Sequence, residues 1–572
     1  MWKIRKTKIT KKILSIDKKK GDKIMNQYQP NNYPSMNQPQ ANPQAAAQLY
    51  PNQPYSNQLN TVKPTIATGE EPDNQYTQSM KKRFPFFGIG SLLYAMFYAF
   101  CLYKNASGIT YPFFVVGTLC YFFFSMQKLG VPYKKDSIFY IISIVLLGIS
   151  NCMTSSPQIL SINKFGIFLL SFVLILHTVY NDQTWNLPKY CMAILQTIGT
   201  CFTCLFRPFG DMISYFDAQK REKTEKKSYF LSVTIGIVIA IPLLFIMILL
   251  LSSADIVFAQ MFERFFEAIN LWEIMCVILL MTVVFFGSYS LYAALGKKNV
   301  TEEVTDKKIF DPVIAIVVTS ALSILYLMFS GIQIVYLFIG NMQLPDGYTY
   351  ASYAREGFFQ LLAVCIINLL LVLTCLYLFR DNTALKIILT IISICTYIMI
   401  LSSALRMIMY INNYNLTFRR IQVLWALAVI FFLMTGITIF IYFKEFPLFS
   451  YGIVVVTVFY IALSFSRPDY WIARYNLMNE EYTGSEKRYL SSLSSDAAPA
   501  ILNPQINPDV TQIQEILSLY KTMDYSDIKH MPECDDSYWT INYCQHIQYL
   551  SDNMHLRNFN FSIYKAQNYL ID

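Results

Sequence analysis

The fold that this sequence predicts is an all-α integral membrane protein with about eleven transmembrane helices, and three observations predict it. Apolar runs of about 18 to 25 residues recur from Phe84 to Ser464, the length that crosses a bilayer as a helix. Only 15% of the 572 residues are charged, against about 25% in soluble domains, and the deficit is concentrated in that region. Lysine and arginine gather in alternate short loops between the runs, the pattern that sets orientation in a membrane. A soluble enzyme with an ordinary core is thereby excluded. So is a β-barrel, whose strands would read as short alternating segments. The net charge of +9 lies in those loops, so it points to the bilayer as partner and not to nucleic acid.

Residues 1–83 read as a disordered cytoplasmic tail. Residues 1–24 are basic and lack the apolar stretch of a signal peptide. The run Lys-Lys-Gly-Asp-Lys-Ile-Met back-translates to a purine-rich stretch resembling a bacterial ribosome-binding site, so translation is expected to start at Met25, which an intact mass would check. Residues 25–80, rich in Asn, Gln and Pro, cannot bury enough apolar surface to fold.

The domain 84–464 follows, with spans expected at 84–103, 109–126, 137–153, 164–180, 229–251, 271–294, 310–339, 357–379, 386–406, 421–443 and 447–464. The segment 187–206 is apolar but interrupted by Gln196, Thr197, Gly199 and Thr200, and a basic cluster follows it. A span there would carry that cluster across, so it reads as an interfacial or re-entrant helix on the cytoplasmic side. Lys81, Lys82 and Arg83 place the N-terminus inside, and eleven spans then place the C-terminus outside. Residues 465–572 hold eight basic and fourteen acidic residues, a net of −6, with aliphatics and aromatics retained. They read as a small, mostly helical soluble region.

A charged group near the membrane core is costly and marks a candidate site. Asp255 closes Leu251-Ser-Ser-Ala-Asp255 at the head of an amphipathic stretch, where helix capping is the plain alternative. Arg355 and Glu356 follow three tyrosines at the mouth of a span. They suit either an interface belt or an arginine gripping an anionic group. Arg406 continues a span and needs a partner, for which Asp255 and Glu356 are the natural candidates; Arg420 and Arg474 lie in the next two polar motifs. In the expected topology all six fall on the outer face, as one polar site or as an ion-pair cluster holding helix ends together. His177 reads as a packed histidine. Cys534 and Cys544 suit a disulfide if the tail lies in an oxidising envelope. No metal-binding or cofactor motif is legible, and no nucleophile–base pair is recognisable.

Five segments taken together resemble a bacterial multipass membrane family of unknown function (domain of unknown function forty-one fifty-three / forty-one seventy-three). They are LLLSSADIVFAQ, YASYAREGFFQLLAV, ALRMIMYINNYNLTFRR, RPDYWIARYNL and YLSSLSSDAAPAIL, in that order across roughly residues 230–502. One departure is Ile256, where the family pattern has proline. The resemblance implies a multipass fold in a bacterial cytoplasmic membrane and carries no reaction, ligand or catalytic residue. The expected function is a non-enzymatic envelope sensor or scaffold, with a membrane or envelope protein as partner; the alternative is a transporter or lipid-handling protein.

Overall fold

Backbone N–H and C=O groups find no water in a bilayer, so an apolar run there satisfies them internally by coiling. In the computed structural model the apolar runs of this chain are helices throughout the described residues. These are residues 75–105, 107–222, 271–302, 308–335, 350–479, 484–508, 510 and 538–571, with scattered positions in 236–260. For 350–356 the description extends to the backbone helix alone.

The short helix α1 (Gln75–Lys82) precedes α2 (Phe84–Leu102), α3 (Thr110–Leu129), α4 (Ile138–Met153) and α5 (Pro157–Val179). Then come α6 (Leu187–Thr203) and α7 (Arg207–Glu222), followed by α8 (Leu271–Lys297), α9 (Pro312–Gln333) and α10 (Tyr350–Leu378). The bundle closes with α11 (Thr383–Tyr414), α12 (Phe418–Tyr442) and α13 (Leu448–Phe465). The C-terminal region contributes α14 (Pro468–Met478), α15 (Gly484–Ser491), a single-turn helix at Ala498–Ile501, α16 (Tyr538–Asp552) and α17 (Phe561–Ile571).

Among the described residues ten helices, α2–α5 and α8–α13, are long and apolar enough to cross a membrane. They correspond one for one to ten of the eleven expected spans. The eleventh, 229–251, lies largely outside the described residues. Large apolar side chains stay exposed along the spans: on α2 alone Ile89, Leu93, Met96 and Phe100 are each more than half exposed. A soluble protein rarely shows such a patch, whereas a bilayer covers it. Small and polar residues face inward instead, with Ser91, Ser143, Ser150, Asn163, Thr319, Ser393 and Thr396 all buried. Helices that meet in hydrocarbon pack closely through such residues.

The interior is in two parts. One core joins α2–α6, α8 and α13 to the C-terminal region, through residues such as Leu147, Leu174, Tyr289, Tyr460, Ile472 and Tyr543. The other joins α9–α12, through Val372, Leu389, Ile392, Met407 and Met434.

Contacts between loops sort the helix ends into two groups. At the basic end the Lys134 ammonium donates to the backbone oxygen of Tyr180 at 2.6 Å, and the Trp185 indole N–H donates to that of Glu302 at 3.1 Å. Lys189 reaches Thr301 at 3.1 Å, and the rings of Tyr190 and Phe449 stack with centroids 4.2 Å apart. Lys308 pairs with Asp381 at 2.5 Å, and Lys444 lies 3.7 Å from the same carboxylate. The expected interfacial helix 187–206 is α6. It joins α7 at a 58° bend. Its start lies beside Thr301, while Tyr215 on α7 lies 6.1 Å from Phe84, the first residue of α2. The pair is thus bent and not straight, and its contacts with Thr301 and Phe84 lie at the basic end.

Candidate functional site

The opposite end of the bundle faces the C-terminal region. Three loops meet the C-terminal region there: 103–109 between α2 and α3, 154–156 between α4 and α5, and 415–417 between α11 and α12.

The first two loops are crossed by residues 557–562. Ile109 donates its N–H to the Phe559 oxygen at 2.8 Å, and Asn105 donates to the Arg557 oxygen at 3.1 Å. Arg557 in turn donates to the Tyr103 oxygen at 2.8 Å. Asn560 is fully buried and donates to the oxygens of Ser107 at 3.0 Å and Thr154 at 2.9 Å. Gly108 makes this possible, because a β-carbon there would collide with the backbone of Arg557 and Asn558.

Next to this crossing lie two buried carboxylates, Asp469 and Asp496. Asp469 sits in the first turn of α14 and accepts from the Ser494 hydroxyl at 2.5 Å. Asp496 accepts from Thr154 on one side and Ser562 on the other. The hydroxyls of Ser155 and Ser495 bond at 2.5 Å, and those of Ser495 and Ser562 at 2.9 Å. Tyr543 is buried on α16 and donates to the Ser494 oxygen at 2.8 Å. Burial pushes both carboxyls above the usual carboxylate range, more than the hydroxyl donors lower them. Asp469 raises Asp496 further, while Arg467 opposes this.

The turn at 415–417 is held just as closely. Asn415 takes a left-handed conformation (φ 65°), which Asn tolerates better than most residues. Its amide donates to Glu486 at 2.7 Å and its carbonyl accepts from Asn479 at 2.7 Å. Asn476 accepts from the Leu416 N–H at 2.7 Å and donates back to the Leu416 oxygen at 2.9 Å.

The six residues expected to form one outer site are not all used alike. Arg406 is buried at 8% exposure and donates to the Gln333 side-chain oxygen at 3.1 Å, which also accepts from Ser402 at 2.6 Å. Its guanidinium rests on Gly357, where a β-carbon would occupy the same space. Arg406 thus lies against Gly357, next to Glu356 in sequence; the expected pairing with Asp255 or Glu356 is not among the described contacts. The side chains of Arg355 and Glu356 themselves lie outside the described residues. Gln333, at the end of α9, was not singled out in the sequence. Its only signal is a lone amide closing a long apolar run. Arg420 clasps the end of α11 through the oxygens of Tyr414 and Asn415, with its guanidinium 4.3 Å from the Tyr410 ring. Arg474 donates to the Tyr470 hydroxyl at 3.2 Å on its own helix. Asp255 is exposed, directly after a helical turn that its N–H closes onto Leu251 at 3.0 Å.

Cys544 is buried on α16, which raises its thiol to about 12; Cys534 lies outside the described residues, and so does the expected pairing. At the basic end His177 shares both carboxylate oxygens of Asp182, at 2.9 and 2.8 Å, and the Tyr190 hydroxyl donates to the same carboxylate. Burial raises Asp182, but the bonds from His177 and Tyr190 outweigh it and hold the carboxyl below its usual value.

No curated protein and no solved structure matches the chain. A family does. Residues 141–503 match the family described as Domain of unknown function (DUF4153), a match that begins in α4, earlier than the quoted motifs, and takes in Arg406, Asp469 and Asp496. The segment 557–562, which completes the network around them, lies beyond it. With well over half of its length matched, this multipass chain belongs to the DUF4153 family.

Proposed function

We propose that this protein is a non-enzymatic sensor or scaffold of a bacterial cytoplasmic membrane, with its N-terminus inside and its C-terminal helices outside as the platform for an envelope protein. The observation that carries this reading is the docking of 557–562 and Asp496 across the loops 103–109 and 154–156. These bonds tie a polar region to the ends of four spans, so a partner held by that region is coupled mechanically to the bundle. The excess of lysine at the other end supports the orientation. Phe559, Phe561 and Tyr564 support the platform: their rings lie 5.2 and 5.5 Å apart, and Phe561 and Tyr564 are 46% and 47% exposed. Exposed aromatic clusters recur as anchors at protein interfaces.

The test is cross-linking of the full chain in living cells, compared with a Phe561→Ser, Tyr564→Ser double variant. The expected result is a stoichiometric partner on the wild type that is lost from the variant, with the membrane domain still inserted. Retention of the partner by the variant, or solute flux by the purified protein alone, overturns the reading. The second outcome would favour a transporter, for which Arg406 with Gln333 and Ser402 is the place to look.

A further inference from the structure

The interior formed by α9–α11 carries a polar stripe. On α9 the buried residues beyond Ala315 are Thr319, Ser323, Tyr326, Ser330 and Gln333, each with a polar group. They run for about 21 Å of a hydrocarbon layer of about 30 Å. Gln333 meets Ser402 and Arg406 of α11, and deeper in the same core Asn368 of α10 donates to the Thr396 hydroxyl at 3.0 Å. Close packing alone would be served as well by alanine or glycine. Other buried hydroxyls here bond their own helix. Thr319 donates to the Ala315 oxygen at 2.6 Å, Ser393 to that of Leu389 at 2.9 Å, and Thr396 to that of Ile392 at 2.7 Å. Ser323 and Ser330, only 5% and 3% exposed, make no hydrogen bond through their hydroxyls, and the side-chain oxygen of the fully buried Asn368 accepts none. An unmet polar group in hydrocarbon is costly, so three of them in one interior call for an occupant.

We infer that this stripe holds a file of ordered waters reaching from Arg406 to Ser323, closed beyond by Ala315, Val372, Leu385 and Leu389. α9 and α11 run side by side from the Lys308–Asp381 pair to the Gln333–Ser402 bond. Counted back from that bond, Ser330 lies about 4.5 Å deep, the Asn368–Thr396 bond about 9 Å and Ser323 about 15 Å. Three or four waters at about 2.8 Å each bridge the roughly 10 Å between the two serines. The unmet atoms select the occupant. Asn368 Oδ1 only accepts, whereas a hydroxyl donates and accepts, so the occupant must do both. A cation would face Arg406 with no countercharge, since α9, α11 and Gly357–Leu378 contain no Asp or Glu. An anion would set lone pairs against Asn368 Oδ1. Water meets all three atoms, as buried waters do at otherwise unmet polar groups. The file brings solvent about halfway through the bilayer and stops, so it hydrates the interior without opening a route across it. The inference needs no partner protein and no assigned orientation, and so stands apart from the docking of the C-terminal region.

The full chain in lipid nanodiscs is given a radiolysis pulse in oxygen-18 water, and the label left by hydroxyl radicals is mapped by mass spectrometry. Tyr326, between the two serines on the stripe, should take up label. Met328, which is 64% exposed to lipid at the same depth, and Tyr289, fully buried in the other core, should take up far less. Ser323→Val with Ser330→Val removes both hydroxyls and should bring Tyr326 down to the level of Tyr289. Ser330→Ala gives a second reading if the double variant fails to fold. Losing a hydroxyl that bonds water lowers the melting temperature, whereas losing a dry, unmet hydroxyl raises it. Tyr326 labelled no more than Met328 and Tyr289 overturns the inference. So does labelling that the double variant leaves intact, or a melting temperature raised by Ser330→Ala.

Discussion

Gly357 is a glycine because the Arg406 guanidinium occupies the place of its side chain. Gly357→Ala should push that guanidinium off Gln333 and cost about 1–3 kcal/mol by overpacking, read as a lower melting temperature in detergent. Gly357→Ala combined with Arg406→Leu should recover part of the loss; equal stability of Gly357→Ala and wild type would contradict the contact. The two buried aspartates make a different prediction. Each binds its proton more tightly docked than exposed, since burial raises both. Docking is then strongest below the ordinary carboxylate value of about 3.9 and weakens as pH rises from there through the raised values. Protease release of the C-terminal helices should increase over that range, and Asp469→Asn with Asp496→Asn should flatten the slope. Arg406 stands out in the sequence because charge in a span demands company, yet the partner it finds among the described residues is Gln333, an amide that the sequence did not single out. Sequence reading passed over Asp469 and Asp496, although both lie in quoted motifs. An acid in a first helical turn or after Ser-Ser looks like ordinary capping until the fold shows it buried.

Helices were the most legible feature, since ten apolar runs needed only their length to be recognised. The α6–α7 pair shows a subtler kind of legibility. The basic residues after 206 made a straight crossing costly, and the structure bends the segment by 58° between α6 and α7, with Lys189 beside Thr301 and Tyr215 beside Phe84. What the runs could not reveal is which loops the C-terminal region covers, because hydrogen bonds to backbone oxygens leave no trace in side-chain pattern. Gly108 is the point where that docking is most sensitive. Two of the three atoms a β-carbon would strike, the Arg557 oxygen and the Asn558 Cα, belong to backbone, which cannot swing aside as the third, Asn105 Oδ1, can. Gly108→Ala should therefore loosen 557–562 by about 1–3 kcal/mol, seen as faster proteolysis after Asp552 with the spans unaffected. Unchanged proteolysis would mean that the crossing is not held there.

At the scale of the whole molecule, the contacts place the C-terminal helices at the same end as loops 103–109, 154–156 and 415–417. Leu556 is 90% exposed on that region, and a Leu556→Cys variant reports its side directly. If the basic end is cytoplasmic, a membrane-impermeant maleimide should label it in intact cells, whereas labelling only after lysis would invert the whole bundle. Cys544 is buried and does not compete as a target. The crossing of 557–562 over the first loops also has a consequence for biosynthesis. Asn105 and Arg557 are 452 residues apart, so the first helical hairpin enters the membrane long before its cover is translated. Until then the backbone oxygens of Tyr103, Ser107 and Thr154 depend on solvent. The earliest-made part of the bundle is completed by residues translated some 452 positions later, and a chain stalled or clipped after Asp552 would carry all its spans yet stay unfinished at its oldest end.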